Sequence, residues 1–208
     1  MATVDVWATV HAERGALAAD LDGLDDAGWA TTSLSTEWSV RDVLAHMTAT
    51  AQVSAATFLP KLLSAGFRLT KMQAADIARG RGSSPADGLA RFRAQINSSK
   101  HPPGPADTWL GEVIVHAENI RRPLGITHDY PGDAVVQVAD FYRKSNLIIG
   151  GKRRAAGLRL RATDVEWTAG DGPDVSGPIL SIVLAITGRS AAADDLSGEG
   201  VSTLRSRS

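Results

Sequence analysis

The 208 residues carry 22 basic and 23 acidic side chains, a formal charge of −1, 43% hydrophobic residues and no cysteine. A near-neutral chain has no electrostatic pull toward nucleic acid or acidic lipid, and the ordinary apolar content argues against disorder. Without cysteine there can be no disulfide, no thiol nucleophile and no thiolate zinc site; a metal must be held by nitrogen and oxygen, and a thiol must arrive with a small molecule.

From Asp5 to about Leu24, the residues Trp7, Val10, Leu17, Leu21 and Leu24 recur at helical spacing and predict an amphipathic helix, with His11 as a surface or packing residue. The stretch to Ser39, rich in serine and threonine, reads as an ordered connection anchored by Trp29 and Trp38. Ser39 with Asp42 forms an N-terminal cap, and Val40, Val43, Leu44 and Met47 give the apolar face of a second helix. That helix is predicted to reach about Ala65, kinked or ended by Pro60.

Lys71 to Arg79 fits a short helix, and Ser84-Pro85 opens another that ends near Asn97. Residues 98–105, with four Pro or Gly, form a loop in which His101 is solvated. The helix from about Trp109 to Arg122 is stopped by Pro123 and Gly125. His128 starts a turn over 127–132, and a further helix is predicted from Asp133 to Ile149.

Gly150-Gly151 and the basic run Lys152-Arg153-Arg154 mark the clearest boundary. Beyond it, Leu158 to Ala162 alternates as a strand, with Val165 to Thr168 as hairpin partner and 170–173 as a turn. An apolar helix then runs to Gly188, Gly198 to Leu204 is predicted as a short strand, and 205–208 as a loose tail. This places domains at 1–150 and 155–208, the smaller one packed on the larger because some fifty residues make a thin core. The first residues lack a basic region with an apolar core, and the longest apolar run is far below the ~20 residues a bilayer requires, so a soluble, cytoplasmic protein is expected.

Glu112 and His116 are four apart, so a helix stacks them on one face, where both can point at one divalent metal. On spacing alone a surface ion pair is the commoner meaning of this pattern. Two ligands hold a metal weakly, and His46, at the flank of the second helix's apolar face, is the candidate third. The pattern lacks the His-Glu-x-x-His order of zinc peptidases. No phosphate loop, nucleophile elbow or dinucleotide fingerprint occurs.

Glu37 through His46, Glu112 through Gly125, and later Ala162-Thr163-Asp164, Trp167, Gly170, Gly172-Pro173, Gly177-Pro178, Thr187-Gly188-Arg189 and Leu196-Ser197-Gly198 resemble the mycothiol-dependent maleylpyruvate isomerases among the DinB-like bundles of actinobacteria. The resemblance implies a mainly α, DinB/YfiT-like four-helix bundle with a small C-terminal α/β segment. It implies zinc on His46, Glu112 and His116, mycothiol as thiol cosubstrate, a small electrophilic substrate, and a catalytic role for Arg189. Arg121 and Arg122 could bind the anionic groups of the cosubstrate, or simply offset the helix dipole. One departure is Asn119, where members often carry aspartate. The expected activity is addition or transfer of a low-molecular-weight thiol by a monomer or homodimer, with no nucleic-acid or membrane partner. A hydrolase using activated water at the same ligands, or a non-catalytic metal-binding protein, are the alternatives.

Overall fold

The computed structural model describes residues 4–146 and 149–207. Contacts divide the chain into two compact units, Asp5–Asp129 and the part from Tyr130 onward.

The first unit is a helical bundle of α1 (Val6–Asp20), α2 (Asp26–Ala30), α3 (Val40–Thr50), α4 (Ala55–Ser64), α5 (Leu69–Gly80), α6 (Pro85–Arg93) and α7 (Ala106–Arg121). Asp5 caps α1 by accepting from Ala8 N, and the stripe Val10, Leu17 and Leu21 is buried as its spacing requires. α1 packs on α6 and α7, and α3 packs on α5, α6 and α7. α7 is buried on nearly every side from Trp109 to Arg121, so it forms the centre of the unit. It ends in a single 3-10 turn at Arg122–Leu124, after which Gly125 takes φ 68°, a left-handed conformation that glycine adopts without strain.

The second predicted helix is two helices. α3 stops at Thr50, and Ser54 caps a separate α4 through Thr57, so the break precedes Pro60, which lies inside α4. α4 has no buried residue, and local capping rather than packing sets its start. α5 approaches α3 closely because Gly80 faces Ala45: a Cβ there would lie 2.7 Å from the Ala45 carbonyl oxygen. The connection expected before Ser39 contains α2 and is pinned by the Thr32–Ser39 bridge and by Ser33 N donating to Trp38 O.

The start of α3 is a full capping box: Ser39 N and Oγ meet Asp42 Oδ2 at 3.1 and 2.8 Å, and Asp42 N donates to Ser39 Oγ. Burial works against the Asp42 charge, but the bonds from the Arg81 side chain and from Ser39 outweigh it and hold the carboxyl below its usual range. The unfolded chain therefore takes up this proton at a higher pH than the folded one. The stabilisation is complete above the ordinary carboxylate pKa of about 4 and is lost as pH falls through the lower folded value. Asp42→Asn should cost about 1–2 kcal/mol at neutral pH, and should flatten the acid loss of stability seen in urea titrations of the wild type.

The second unit contains α8 (Gly132–Lys144), α9 (Gly151–Ala155), a three-stranded sheet, α10 (Ile179–Ile186), a 3-10 segment at Ser190–Asp195 and α11 (Val201–Arg205). α8 was expected in the bundle and to extend to Ile149. It ends at Lys144, and residues 147–148 of that expected helix lie outside the described residues. It falls in this unit because its buried side chains, among them Val135, Val138, Ala139 and Tyr142, lie on the helix that packs against α10. The basic run Lys152-Arg153-Arg154, expected to mark a boundary, lies within the short helix α9.

Strands β1 (Arg159–Ala162), β2 (Thr168–Ala169) and β3 (Asp174–Gly177) are ordered β2-β1-β3. β1 runs antiparallel to β2, pairing Leu160 with Ala169, and parallel to β3, pairing Leu160 with Val175. β3 lies between the expected turn and the apolar helix, where no strand was expected. The predicted strand at Gly198 to Leu204 is instead the helix α11; its buried Leu204 and half-buried Val201 lie three apart, a helical spacing. The tail is not loose either, since Arg207 Nη1 donates to Arg154 O at 2.8 Å and Ala156 O at 2.6 Å. Among the described residues, no helix is long and apolar enough to cross a membrane.

Candidate metal centre

α3 and α7 bring His46, Glu112 and His116 together. One ligand atom from each lies within 4.8 Å of the others, and the two imidazole centroids are 4.8 Å apart. The i, i+4 spacing on α7 places Glu112 and His116 on one face, and the capped start of α3 fixes the turn that carries His46. Glu112 is buried, which removes the surface ion-pair reading of this spacing.

The electrostatics of Glu112 suit a position beside a cation. Among the described residues, Oε1 has no hydrogen-bond partner. Burial pushes the carboxyl up to about 7, opposed by the charge of Arg14. A buried carboxylate oxygen left without a donor is costly, and two imidazoles beside it make a nitrogen-and-oxygen set suited to zinc or a similar divalent ion. The residues fit a metal.

Of four neighbours of the site, Trp38 and Asn119 were already named from the sequence, whereas Arg14 and Gln73 were not. Arg14 is 2% exposed, donates to Ser98 O at 2.7 Å and Gln95 O at 3.3 Å, and is desolvated enough to lower its own pKa, with Glu112 raising it. Its signal was present: it occupies the same stripe as Val10, Leu17 and Leu21, where a cation is out of place. Trp38 lies over the histidines, with ring centroids 5.1 Å from His46 and 6.4 Å from His116. Gln73 on α5 places Nε2 3.5 Å from His46 Nδ1, and Asn119 places Nδ2 3.1 Å from His116 Nδ1. Leu34 N donates to Asn119 O, so the segment leading to Trp38 is fastened to α7.

The three arginines are placed differently from the ligands. Arg121, expected to meet the cosubstrate, is fully buried and ion-pairs with Asp20 at 2.7 Å and Glu13 at 3.9 Å. It thus links α7 to α1 and offers no surface to a cosubstrate. Arg122 pairs with Glu118 at 3.0 Å and keeps 27% of its side chain exposed. Arg189, in the second unit, donates to Thr187 O at 2.7 Å, and burial pushes its pKa down to about 10. Nearby in the chain, Asp164 accepts from Ile179 N at the start of α10, and Asp195 accepts from Ser181 Oγ.

The other histidines lie elsewhere. His128 bonds Glu13 at 2.7 Å, and His11 lies 3.2 Å from Ser99 Oγ. His101 is not simply solvated but is part-buried between Trp7 and Trp109, at centroid distances of 5.4 and 5.5 Å.

A helical bundle with a His-Glu-His cluster, followed by a small three-stranded α/β unit, is a DinB-like fold. Residues 10–112 belong to the mycothiol maleylpyruvate isomerase N-terminal domain family, whose sequence profile they match. That match includes His46 and ends at Glu112, four residues short of His116. The fold is similar to the crystal structure of the mycothiol-dependent maleylpyruvate isomerase, with a TM-score of 0.63, 18% identity, and 94% of this chain and 92% of that one covered. A histidine-to-alanine mutant of that isomerase matches at 0.62 with the same identity and coverage. No protein with a curated description matches the chain in sequence.

Proposed function

We propose that this protein is a metal-dependent enzyme that uses mycothiol, or a closely similar low-molecular-weight thiol, to isomerise or modify a small electrophile of the maleylpyruvate class. The observation that carries the reading is the convergence of His46, Glu112 and His116 around a buried carboxylate oxygen with no donor among the described residues, inside a chain that matches this family's profile. Zinc suits two imidazoles and one carboxylate, and three protein ligands leave a position open. A divalent metal bound there would supply a Lewis acid that holds a coordinated thiol as thiolate at neutral pH. A cytoplasmic location follows from the reducing conditions that keep such thiols free.

The chain's own residues account for the rest of the site. Glu112 brings negative charge into a dry interior, and Arg14 favours its ionised form. Trp38 places its ring beside both imidazoles and adds an apolar wall to the site. Arg122, the partly exposed member of the arginine pair, is the one able to meet an anionic group of the cosubstrate. Arg189 remains the arginine that the family resemblance assigns to the reaction.

The deciding experiment is a turnover assay of zinc-loaded protein with maleylpyruvate and related electrophiles, with and without mycothiol. Turnover is expected only when the thiol is present; hydrolysis independent of thiol would replace this reading with the hydrolase. In the same assay, Arg189→Lys keeps the charge but loses the planar fork. It should lower turnover about tenfold or more with metal content unchanged. Full activity in that variant would remove Arg189 from the reaction.

A further inference from the structure

Each histidine of the cluster has a carboxamide beside its Nδ1. Asn119 is wholly buried, and its Nδ2 lies 3.1 Å from His116 Nδ1 and 3.0 Å from Ser35 Oγ. Gln73 Nε2 lies 3.5 Å from His46 Nδ1. The nitrogen and oxygen ends of a carboxamide exchange positions by a half-turn of its last torsion, and the hydrogen-bond network decides between them.

With the nitrogen end toward the ring, Nδ1 of His116 must accept. The ring proton then sits on Nε2, which has no lone pair left for a metal. With the oxygen end toward the ring, Nδ1–H donates to Asn119 Oδ1. Ser35 Oγ–H can donate to the same oxygen, which has two lone pairs, and Nε2 is bare. The second arrangement keeps a bond to both His116 and Ser35 and leaves a ligand nitrogen.

We propose that Asn119 is a positioning residue, whose Oδ1 accepts from His116 Nδ1–H and fixes the tautomer that offers Nε2 to a divalent metal. The proposal rests on the reading of His46, Glu112 and His116 as metal ligands. Burial of Asn119 and its side-chain bond with Ser35 Oγ hold the carboxamide in place, so it sets both the tautomer and the ring plane. A carboxamide does this without adding a negative charge to an interior that already holds Glu13, Glu112 and Glu118. Gln73, more distant and only part-buried, holds His46 less firmly.

Nitrogen NMR of histidine-labelled, metal-free protein at about pH 8, where imidazole is neutral, reads the tautomer directly. His116 in the wild type is expected as Nδ1–H; finding it as Nε2–H overturns the proposal. Asn119→Leu should shift His116 toward Nε2–H and weaken zinc binding about 10-fold or more, while Asn119→Asp should retain the Nδ1–H form and bind zinc at least as tightly as the wild type. A residue that only packs would lower thermal stability in the Leu variant and leave tautomer and zinc affinity unchanged, which also overturns the proposal. If the wild type shows Nδ1–H but neither it nor any variant binds zinc, the metal reading fails and the hydrogen-bond assignment stands.

Discussion

Purified protein is expected to hold one zinc ion per chain, and His46→Ala or His116→Ala to reduce that to a small fraction. Each substitution leaves two protein ligands, and even loss of a residue that merely orients a ligand weakens metal sites about 10- to 100-fold, so loss of a ligand should cost at least that much. Glu112→Gln keeps the shape but removes the charge that balances the cation, and belongs to the same set. Metal content after gel filtration and a competition titration with a chelator measure the effect directly. Thermal unfolding supplies a second readout, because a ligand present at about 100 times its dissociation constant stabilises the folded state by ~2.7 kcal/mol. Added zinc should therefore raise the melting temperature of the wild type and leave the variants nearly unmoved. Full occupancy in all three would sink the assignment.

Arg14→Met should destabilise the bundle by about 3 kcal/mol in metal-free protein. Its guanidinium is buried, ties α1 to the Gln95 and Ser98 carbonyls, and supplies the positive charge that opposes desolvation of Glu112. Methionine matches much of the volume but leaves two carbonyls without this donor and Glu112 without a counter-charge. Bound zinc would restore a positive charge beside Glu112. Saturating zinc should therefore recover part of the lost stability in urea titrations, while the part due to the two carbonyls persists. An equal loss with and without zinc would show that Arg14 serves only the carbonyls.

The amino-acid sequence by itself determined what depends on neighbours along the chain. Asp5, Ser39 and Ser84 mark helix starts through their own side chains, and Pro123 with Gly125 marks the end of α7. The repeat of apolar residues identifies the buried stripes of α1 and α3, and the spacing of Glu112 and His116 was enough to align two ligand groups. The same local signals misled where packing decides. Ser54 makes a second cap inside what periodicity read as one helix. Asp174 to Gly177 becomes a strand through pairing with β1, aided by Gly177, where a Cβ would lie 2.6 Å from Leu196 Cδ2.

Only the tertiary structure decided which charged groups serve the site. Arg14 and Glu112 are 98 positions apart, and Ser35 and Asn119 are 84 apart, so no spacing rule links them. Arg121 and Arg122 are adjacent in sequence, yet one is sealed against Asp20 and Glu13 and the other reaches the surface. Successive residues on a helix point about 100° apart, and what each direction meets is set by the elements that pack there. Burial then sets the energetics: Glu112 would be an ordinary surface carboxylate on an exposed helix, and becomes a metal ligand candidate because α7 is surrounded.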